Sequence, residues 1–370
     1  MDFNLNEEQI AVSDLAAQIF QGSSTVERVK AVEASEDRVD ETLWRALADA
    51  NLLGLTLPED RGGSGLGVLE LCLLLEQQGR TVAPVPLWAT LALGALPIAA
   101  WGSAEQQNAW LPGVVAGDVK LTAALAETGV NDARHPQTRA TRDGAAWRLD
   151  GLKVSVPAAH VAQRVLVPAQ TDDGVAVFLL DPHAAGVTTE RAATTNREIH
   201  PHLHLDGAAA EPLGAPEDGA AILSWMLDRA LIGLCGLQIG VCEAALQLAA
   251  GYSSNRIQFG KPLSTFQGVA LKAADGYIQT EAIRVTTLQA AWRLDAGREA
   301  SSDVLVAKWW ASEGGQRVVH IAQHLHGGMG ADVDYPVHRY FLWGKQIEDT
   351  LGGSSAQLAR LGAALAGATP

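Results

Sequence analysis

Tyr252-Ser-Ser-Asn-Arg-Ile-Gln-Phe-Gly-Lys-Pro-Leu263, closed by Phe266-Gln267, is the stretch on which the fold turns. Before it, Ala220 to Tyr252 reads as one nearly continuous apolar helix, and after it Ser264 to Leu294 reads as a second. A helix that is apolar almost all round must be covered on most sides, so the pair belongs to a buried bundle. Arg256 stands at the end of the first helix, beside a Gly-Lys-Pro turn. There it is either a cation that complements the negative end of the helix dipole, or a planar guanidinium free to grip a phosphate. Gln267 by default is a solvated amide.

Downstream, Ser301 to His324 forms a third helix, ended by Gly327-Gly328; Tyr335 to Leu351 and Ser354 to Ala366 complete the bundle. The glycine pair reads as a helix C-cap or as backbone kept bare for close approach to a phosphate. Upstream the texture changes. From about Lys120 to Gly214 the chain breaks into short β-branched segments separated by Gly, Pro and Asp, among them Lys153-Val-Ser-Val, Arg164-Val-Leu-Val and Val175-Ala-Val-Phe-Leu-Leu. Those are strands. Before them come helices again: Ile10 to Phe20, Val39 to Asn51, Val68 to Gln78, Leu87 to Trp101, and Ala104 to Leu111, which stops at Pro112. Leu53-Gly-Leu-Thr-Leu-Pro-Glu-Asp-Arg-Gly-Gly-Ser-Gly-Leu-Gly67 is a loop. Blocks of helix, strand and helix predict an α+β fold rather than alternating βαβ units. The divisions fall at 1–118, 119–216 and 217–370, and no G-x-G-x-x-G supports a Rossmann reading.

The net charge of −15 over 370 residues excludes a nucleic-acid binder, which needs a basic surface to displace counterions. It equally disfavours anionic lipid. Cys72, Cys235 and Cys242 lack metal-ligand spacing and an even count, so they read as small core residues. The first twenty residues carry early acids and no basic n-region, unlike a signal peptide. No run reaches the roughly 18 uninterrupted apolar residues of a bilayer-spanning helix. A cytoplasmic protein without membrane insertion is the expectation.

Three stretches together are specific: the Leu53–Gly67 loop with Glu76, Gly79-Arg80 and Ala83-Pro84; the Tyr252–Gln267 stretch; and His326-Gly-Gly-Met-Gly330 followed by Asp334-Tyr-Pro-Val-His-Arg339. In this order they resemble the acyl-CoA dehydrogenase family over essentially the whole chain. The resemblance implies an N-terminal helical domain, a central β-domain and a C-terminal four-helix bundle, assembled as tetramers with each FAD shared between neighbours. It assigns Arg256, Phe259, Gln267, His324, Gly327 and Gly328 to the pyrophosphate and adenosine of that FAD. It also implies a reaction in which a carboxylate removes the α proton of an acyl-CoA thioester while hydride passes to the flavin, the thioester oxygen being held by hydrogen bonds.

The departures from the family are as informative. The usual Thr-Glu-Pro-x-Ala-Gly-Ser-Asp survives only as Glu127-Thr-Gly-Val-Asn-Asp132, and Ser155 stands where a flavin-facing Trp belongs. His324 replaces a common Gln. Counting from Tyr335, the position of the family's catalytic Glu is Leu351; the alternative position on the long helix is Ala230. Asp228 lies about 200° away round that helix, and Glu348 and Asp349 read as a charged helix end. Loss of a positioned base typically costs about 10²–10⁴-fold, so no catalytic residue is assigned.

Half of a shared site is kept and half is lost. That pattern resembles the non-catalytic-type subunit of actinobacterial α2β2 acyl-CoA dehydrogenases of steroid side-chain degradation. A second family chain would then supply the base and the isoalloxazine cradle, and the implied substrate is a sterol side-chain thioester such as 3-oxo-cholest-4-en-26-oyl-CoA. A self-sufficient homotetramer with an unconventional base, and a flavin-free scaffold, are the alternatives. The scaffold has no need of Arg256, Phe259, Gln267 or the glycine pair.

Overall fold

The structure is a computed structural model and describes residues 3–144 and 146–367. Helices α1 (Glu7–Ser23), α2 (Val26–Glu33), α3 (Glu41–Asp49) and α4 (Val68–Thr81) lead into a π-helix, Trp88–Ala95, which continues as α5 (Leu96–Trp101) before α6 (Ala104–Val115). Seven strands follow: β1 (Leu121–Ala123), β2 (Arg139–Asp143), β3 (Ala146–Lys153), β4 (Arg164–Thr171), β5 (Gly174–Leu180), β6 (Val187–Glu190) and β7 (His202–Pro212). Then come α7 (Gly219–Asn255), the hairpin β8 (Ile257–Gln258) and β9 (Lys261–Pro262), α8 (Gln267–Asp295), α9 (Ser301–His326), α10 (Val337–Asp349) and α11 (Ser354–Leu365). The helix–strand–helix order expected of an α+β chain is what is observed. By internal contacts the chain forms two compact units, one of Met1–Val29, Val68–Ala83 and Leu231–Pro370, the other of Lys30–Gly67 and Pro84–Ala230.

The second unit holds the sheet, ordered β1-β4-β2-β3-β7-β5 with β6 on β7. Because β5 pairs with both β7 and β4, five strands close into a ring, which removes the open edges that invite mispairing. Alternate residues point inward, as a period of two requires: Val165, Val167 and Ala169 of β4, and Ala176, Phe178 and Leu180 of β5. One polar group is buried among them. The Lys153 ammonium, fully buried, bonds the Glu127 carboxylate and the Pro168 carbonyl. Glu127 also accepts from the Gln137 and Thr138 amides and the Thr138 hydroxyl. Desolvation drives the Glu127 carboxyl upward, but the Lys153 charge and these hydrogen bonds outweigh it and hold the group below its usual range. Burial pushes Lys153 down to about 8 against the pull of the carboxylate.

The first unit is helical. Its core is built from α4, α7, α8 and α9, with Cys72, Cys235 and Cys242 as free, buried thiols within it. Helices α4 and α7 touch backbone to backbone: a Cβ on Gly240 would stand 1.9 Å from the Glu76 carbonyl oxygen, and one on Gly79 would stand 2.1 Å from that of Leu237. Above this crossing four charges interlock. Arg80 reaches Glu76 at 2.7 Å and Glu243 at 2.6 Å, and Arg284 of α8 reaches Glu76 at 2.8 Å and also bonds Glu243. The segment Pro216–Asn255 has the length and apolarity of a bilayer-crossing helix, but 78% of its most apolar window is buried within the protein.

Helix α2 had no counterpart in the sequence reading, and of Lys153-Val-Ser-Val only Lys153 lies in a strand, β3 ending there before the left-handed Ser155; two further elements differ. Residues 88–95 wind as a π-helix, every one buried, where an ordinary apolar helix was expected. Helix α6 continues through Pro112 to Val115 although the proline forfeits one intrahelical bond, and the Ala116 amide closes the helix on the Pro112 carbonyl.

Candidate cofactor-binding site

The helical unit brings the ends of four helices together. Ala245 and Ala249 of α7, Ala322 and Leu325 of α9 and Val337 of α10 form one apolar cluster, flanked by Val269 and Ala273 of α8. The six residues singled out in the sequence lie at this end. Arg256 follows the last residue of α7, its amide bonding the Tyr252 carbonyl at 2.8 Å, and its own carbonyl accepts from the Leu263 amide at 2.9 Å. Between those bonds the chain makes the β8–β9 hairpin. Phe259 (φ 54°) and Gly260 (φ 77°) are its turn residues, the left-handed pair of a tight hairpin. A phenylalanine there carries backbone strain of about 1–3 kcal/mol, and Phe259 is also 89% exposed, its ring edge-on to Phe266.

Arg256, Gln267 and His324 are exposed, and among the described residues their side chains make no hydrogen bond or ion pair. Helix α8 begins at Gln267 with no side-chain cap and no acid in its first turn; the Val269 and Ala270 amides bond the Phe266 carbonyl, and the Gln267 and Gly268 amides are left for another acceptor. Gly327 (φ 58°) ends α9, its amide bonding the His324 carbonyl, so the C-cap reading is correct as geometry. It does not account for Gly328. A Cβ on either glycine would meet nothing in this chain, and Gly328 lacks the positive φ that would require glycine. Bare guanidinium, uncapped helix start and unfilled glycine backbone are together suited to a phosphate.

Behind Arg256 lies a recess of about 740 Å³ lined also by Arg80, Gln247, Tyr252, Asn255, Tyr335 and Tyr340. Its wall is braced by His326, which the sequence reading took only as a motif marker. Buried His326 lies 4.8 Å from the Tyr252 ring, and its Nδ1 and Nε2 stand 2.7 Å from the Ala322 carbonyl and 3.2 Å from the Tyr335 hydroxyl. Burial holds its pKa below the usual value, so the neutral ring donates to the carbonyl and accepts from the phenol. The spacing of Tyr252, His326 and Tyr335 gave no sign of this cluster.

The positions where a base would stand hold none. Leu351 is left-handed (φ 60°), its carbonyl accepting from Gln357 Nε2 and Arg360 Nη1, each at 3.1 Å, while its side chain packs on the α4–α7–α8–α9 core. Buried Lys308 fixes the same turn through Ser312 at 2.7 Å and the Ile347 and Glu348 carbonyls at 3.0 Å. Ala230 is fully buried, and the Trp88 indole donates to its carbonyl at 2.9 Å. Asp228 is buried and engaged, Glu348 pairs with Lys345, and Asp349 is an exposed helix end. In the strand unit Ser155 sits in a left-handed turn (φ 50°), its amide bonded to His202 Nδ1 at 2.9 Å, with Ala158 (φ 51°) three residues on. A short hydroxyl in a closed turn cannot cover a flavin ring as an indole does.

Known proteins match along the whole chain. Residues 6–118 match the acyl-CoA dehydrogenase N-terminal domain, and residues 217–366 match the acyl-CoA dehydrogenase C-terminal domain. The chain is 40% identical to acyl-CoA dehydrogenase FadE27 of Mycobacterium tuberculosis, with 99% of each chain covered. Among solved structures it resembles a chain of the Tcur3481–Tcur3483 steroid ACAD, in its G363A variant, at 52% identity with 98% of each chain covered and a TM-score of 0.94. It also resembles a chain of the ChsE4–ChsE5 complex from Mycobacterium tuberculosis, at 40% identity, 100% coverage of each and a TM-score of 0.94. The chain belongs to the acyl-CoA dehydrogenase family.

Proposed function

We propose that this chain is the supporting subunit of a heteromeric, FAD-dependent acyl-CoA dehydrogenase that desaturates a sterol side-chain CoA thioester. The observation that carries the reading is an asymmetry. Among the described residues, Arg256, Gln267 and His324 stand exposed with no side-chain partner, and the Gly327-Gly328 backbone has nothing within 4 Å of where a side chain would begin. Both positions for a base are hydrocarbon, and the flavin-facing position is a serine in a closed turn. The phosphate-gripping half fits FAD; the isoalloxazine half does not. The three-part division at 1–118, 119–216 and 217–370 goes with this reading, as does a cytoplasmic location. The steroid class and the pairing with a second family chain rest on the two-protein relatives, one of them titled a steroid ACAD.

Bound FAD supplies the hydride acceptor of the family's reaction. What this chain contributes is binding and placement. Arg256 offers a two-pronged donor to a pyrophosphate reaching over from the partner, the α8 start and the Gly327-Gly328 backbone offer amides, and His324 and Gln267 offer side-chain donors. Held at this end, FAD would have its phosphate half fixed by this chain, and the carboxylate that removes the proton would be the partner's.

Expressed with its partner, the chain should give a yellow complex with about half a flavin per polypeptide; expressed alone it should be colourless or insoluble. Arg256→Ala should lower the flavin content of the complex about tenfold or more, since charge-assisted bonds each contribute about 1.5–3 kcal/mol. A lone chain carrying a full flavin and oxidising an acyl-CoA would overturn the proposal.

A further inference from the structure

Trp88 opens the π-helix, and its indole N–H donates to the Ala230 carbonyl of α7 at 2.9 Å. A mid-helix carbonyl keeps a second lone pair beside its intrahelical bond, so α7 takes this donor without losing a turn. Trp88 is 8% exposed and Ala230 fully buried. The ring therefore lies against α7 at the residue where a carboxylate on that helix would have stood.

The segment carrying the indole is held from its other side by the first strand. A Cβ on Gly94 would stand 2.3 Å from that of Leu121, and the Leu121 amide donates to the buried Thr90 hydroxyl at 3.4 Å. Every residue from Trp88 to Ala95 is buried, and π-winding is uncommon and concentrated at functional sites. A buried indole also carries an N–H that must find an acceptor, a demand that phenylalanine or leucine would not make while filling the same core.

A general base acts only within hydrogen-bond reach of the proton it removes. An acyl chain offered to a side chain at position 230 and a ring bonded to that same residue compete for one space. We infer that the Trp88 indole is the built-in occupant of the acyl site of this chain, an internal side chain standing where a substrate would lie. The inference rests on the supporting-subunit reading, which makes Ala230 a vacated base position, and deepens it: base and acyl space are given up together.

A second buried tryptophan supplies the control. Trp44 of α3 is fully buried and donates to the Gly117 carbonyl at 2.9 Å, with no base position beside it. The test uses the co-expressed complex and octanoyl-CoA, followed by isothermal titration calorimetry. Trp88→Ala should add one equivalent of octanoyl-CoA per copy of this chain to whatever the wild-type complex binds, and free indole should displace it. Trp44→Ala leaves a closed apolar cavity, which can take up indole but should add no octanoyl-CoA. Trp88→Phe should bind as wild type does. Trp88→Leu, which excavates less, should show the same added equivalent with at least tenfold weaker affinity.

Trp88→Ala or Trp88→Leu complexes with wild-type mass and circular dichroism but no added octanoyl-CoA would overturn the inference. So would equal uptake by Trp44→Ala, or a wild-type complex that already binds one octanoyl-CoA per chain. The two readings fail differently. Flavin per pair of chains should be unchanged in the Trp88 variants, whereas a lone chain with a full flavin sinks the supporting-subunit reading itself.

Discussion

At the scale of single residues, exposed Arg256 and buried Lys308 are opposite uses of a cation. Among the described residues Arg256 has no side-chain partner, so its guanidinium is available at no internal cost. Arg256→Lys keeps the charge but loses the two-pronged geometry, and flavin content of the complex should fall between that of wild type and Arg256→Ala. Lys308 is the opposite case: its ammonium is spent on carbonyls at the end of α10. Burial lowers its pKa to about 8, only partly opposed by Cys235, Asp349 and Glu348. Between that value and about 10.4, the value for a free lysine, the unfolded chain binds more protons than the folded one. Stability should therefore rise with pH through this window, the cost of the buried charge being fully present below about pH 8. Urea midpoints at pH 7.5 and 9.5 should show the rise, and Lys308→Met should abolish that component while lowering stability at both, since it leaves buried carbonyls unbonded. Arg256 and Leu351 were legible because each is fixed by a short count along the chain. Lys308, His326 and the Glu127–Lys153 pair were not, since a buried polar group is explained by its partner and sequence does not say which distant residue that is.

At the scale of elements, apolar periodicity revealed the long helices α7, α8 and α9, and β-branched runs revealed β4 and β5, while polar β2 and alanine-rich β7 carried no such mark. The π-helix was invisible, because wider winding leaves no compositional trace in a run as apolar as Trp88–Ala95. Ring closure of β4, β2, β3, β7 and β5 was equally silent: alternation tells which face is buried but not which strands meet. The α4–α7 crossing shows how a short motif acquires a physical meaning. Glu76, Gly79 and Arg80 were recognisable as a pattern; in the fold the glycine lets two backbones touch and the charges lock them. Gly240→Ala would drive a methyl group into the Glu76 carbonyl. It should destabilise the protein by about 3 kcal/mol or more, at the upper end of overpacking costs, read as a fall in denaturant midpoint. The Arg80 and Arg284 pairs should loosen with it.

At the scale of the whole molecule, sequence motifs carried the family, because a family is a pattern of residues. The surface of α8 was read only as half of a buried helix, since an apolar residue does not announce whether it packs in the core or stands exposed. The structure separates the two: Ile283 faces inward and Ile278 outward, five positions apart on one helix. If the proposed division of the FAD site holds, the complex supplied with an excess of partner should keep its two-chain composition.

The outward phenylalanine of the hairpin has a consequence for the living cell. A left-handed, almost fully bared Phe259 beside Ile257, with Leu271 and Ile278 nearby in sequence, makes the newly made orphan resemble an unfolded protein to quality control. Its abundance should then be set by that of its companion: silencing the partner's synthesis should shorten the half-life of this chain several-fold in a pulse–chase measurement, with no change in its own message.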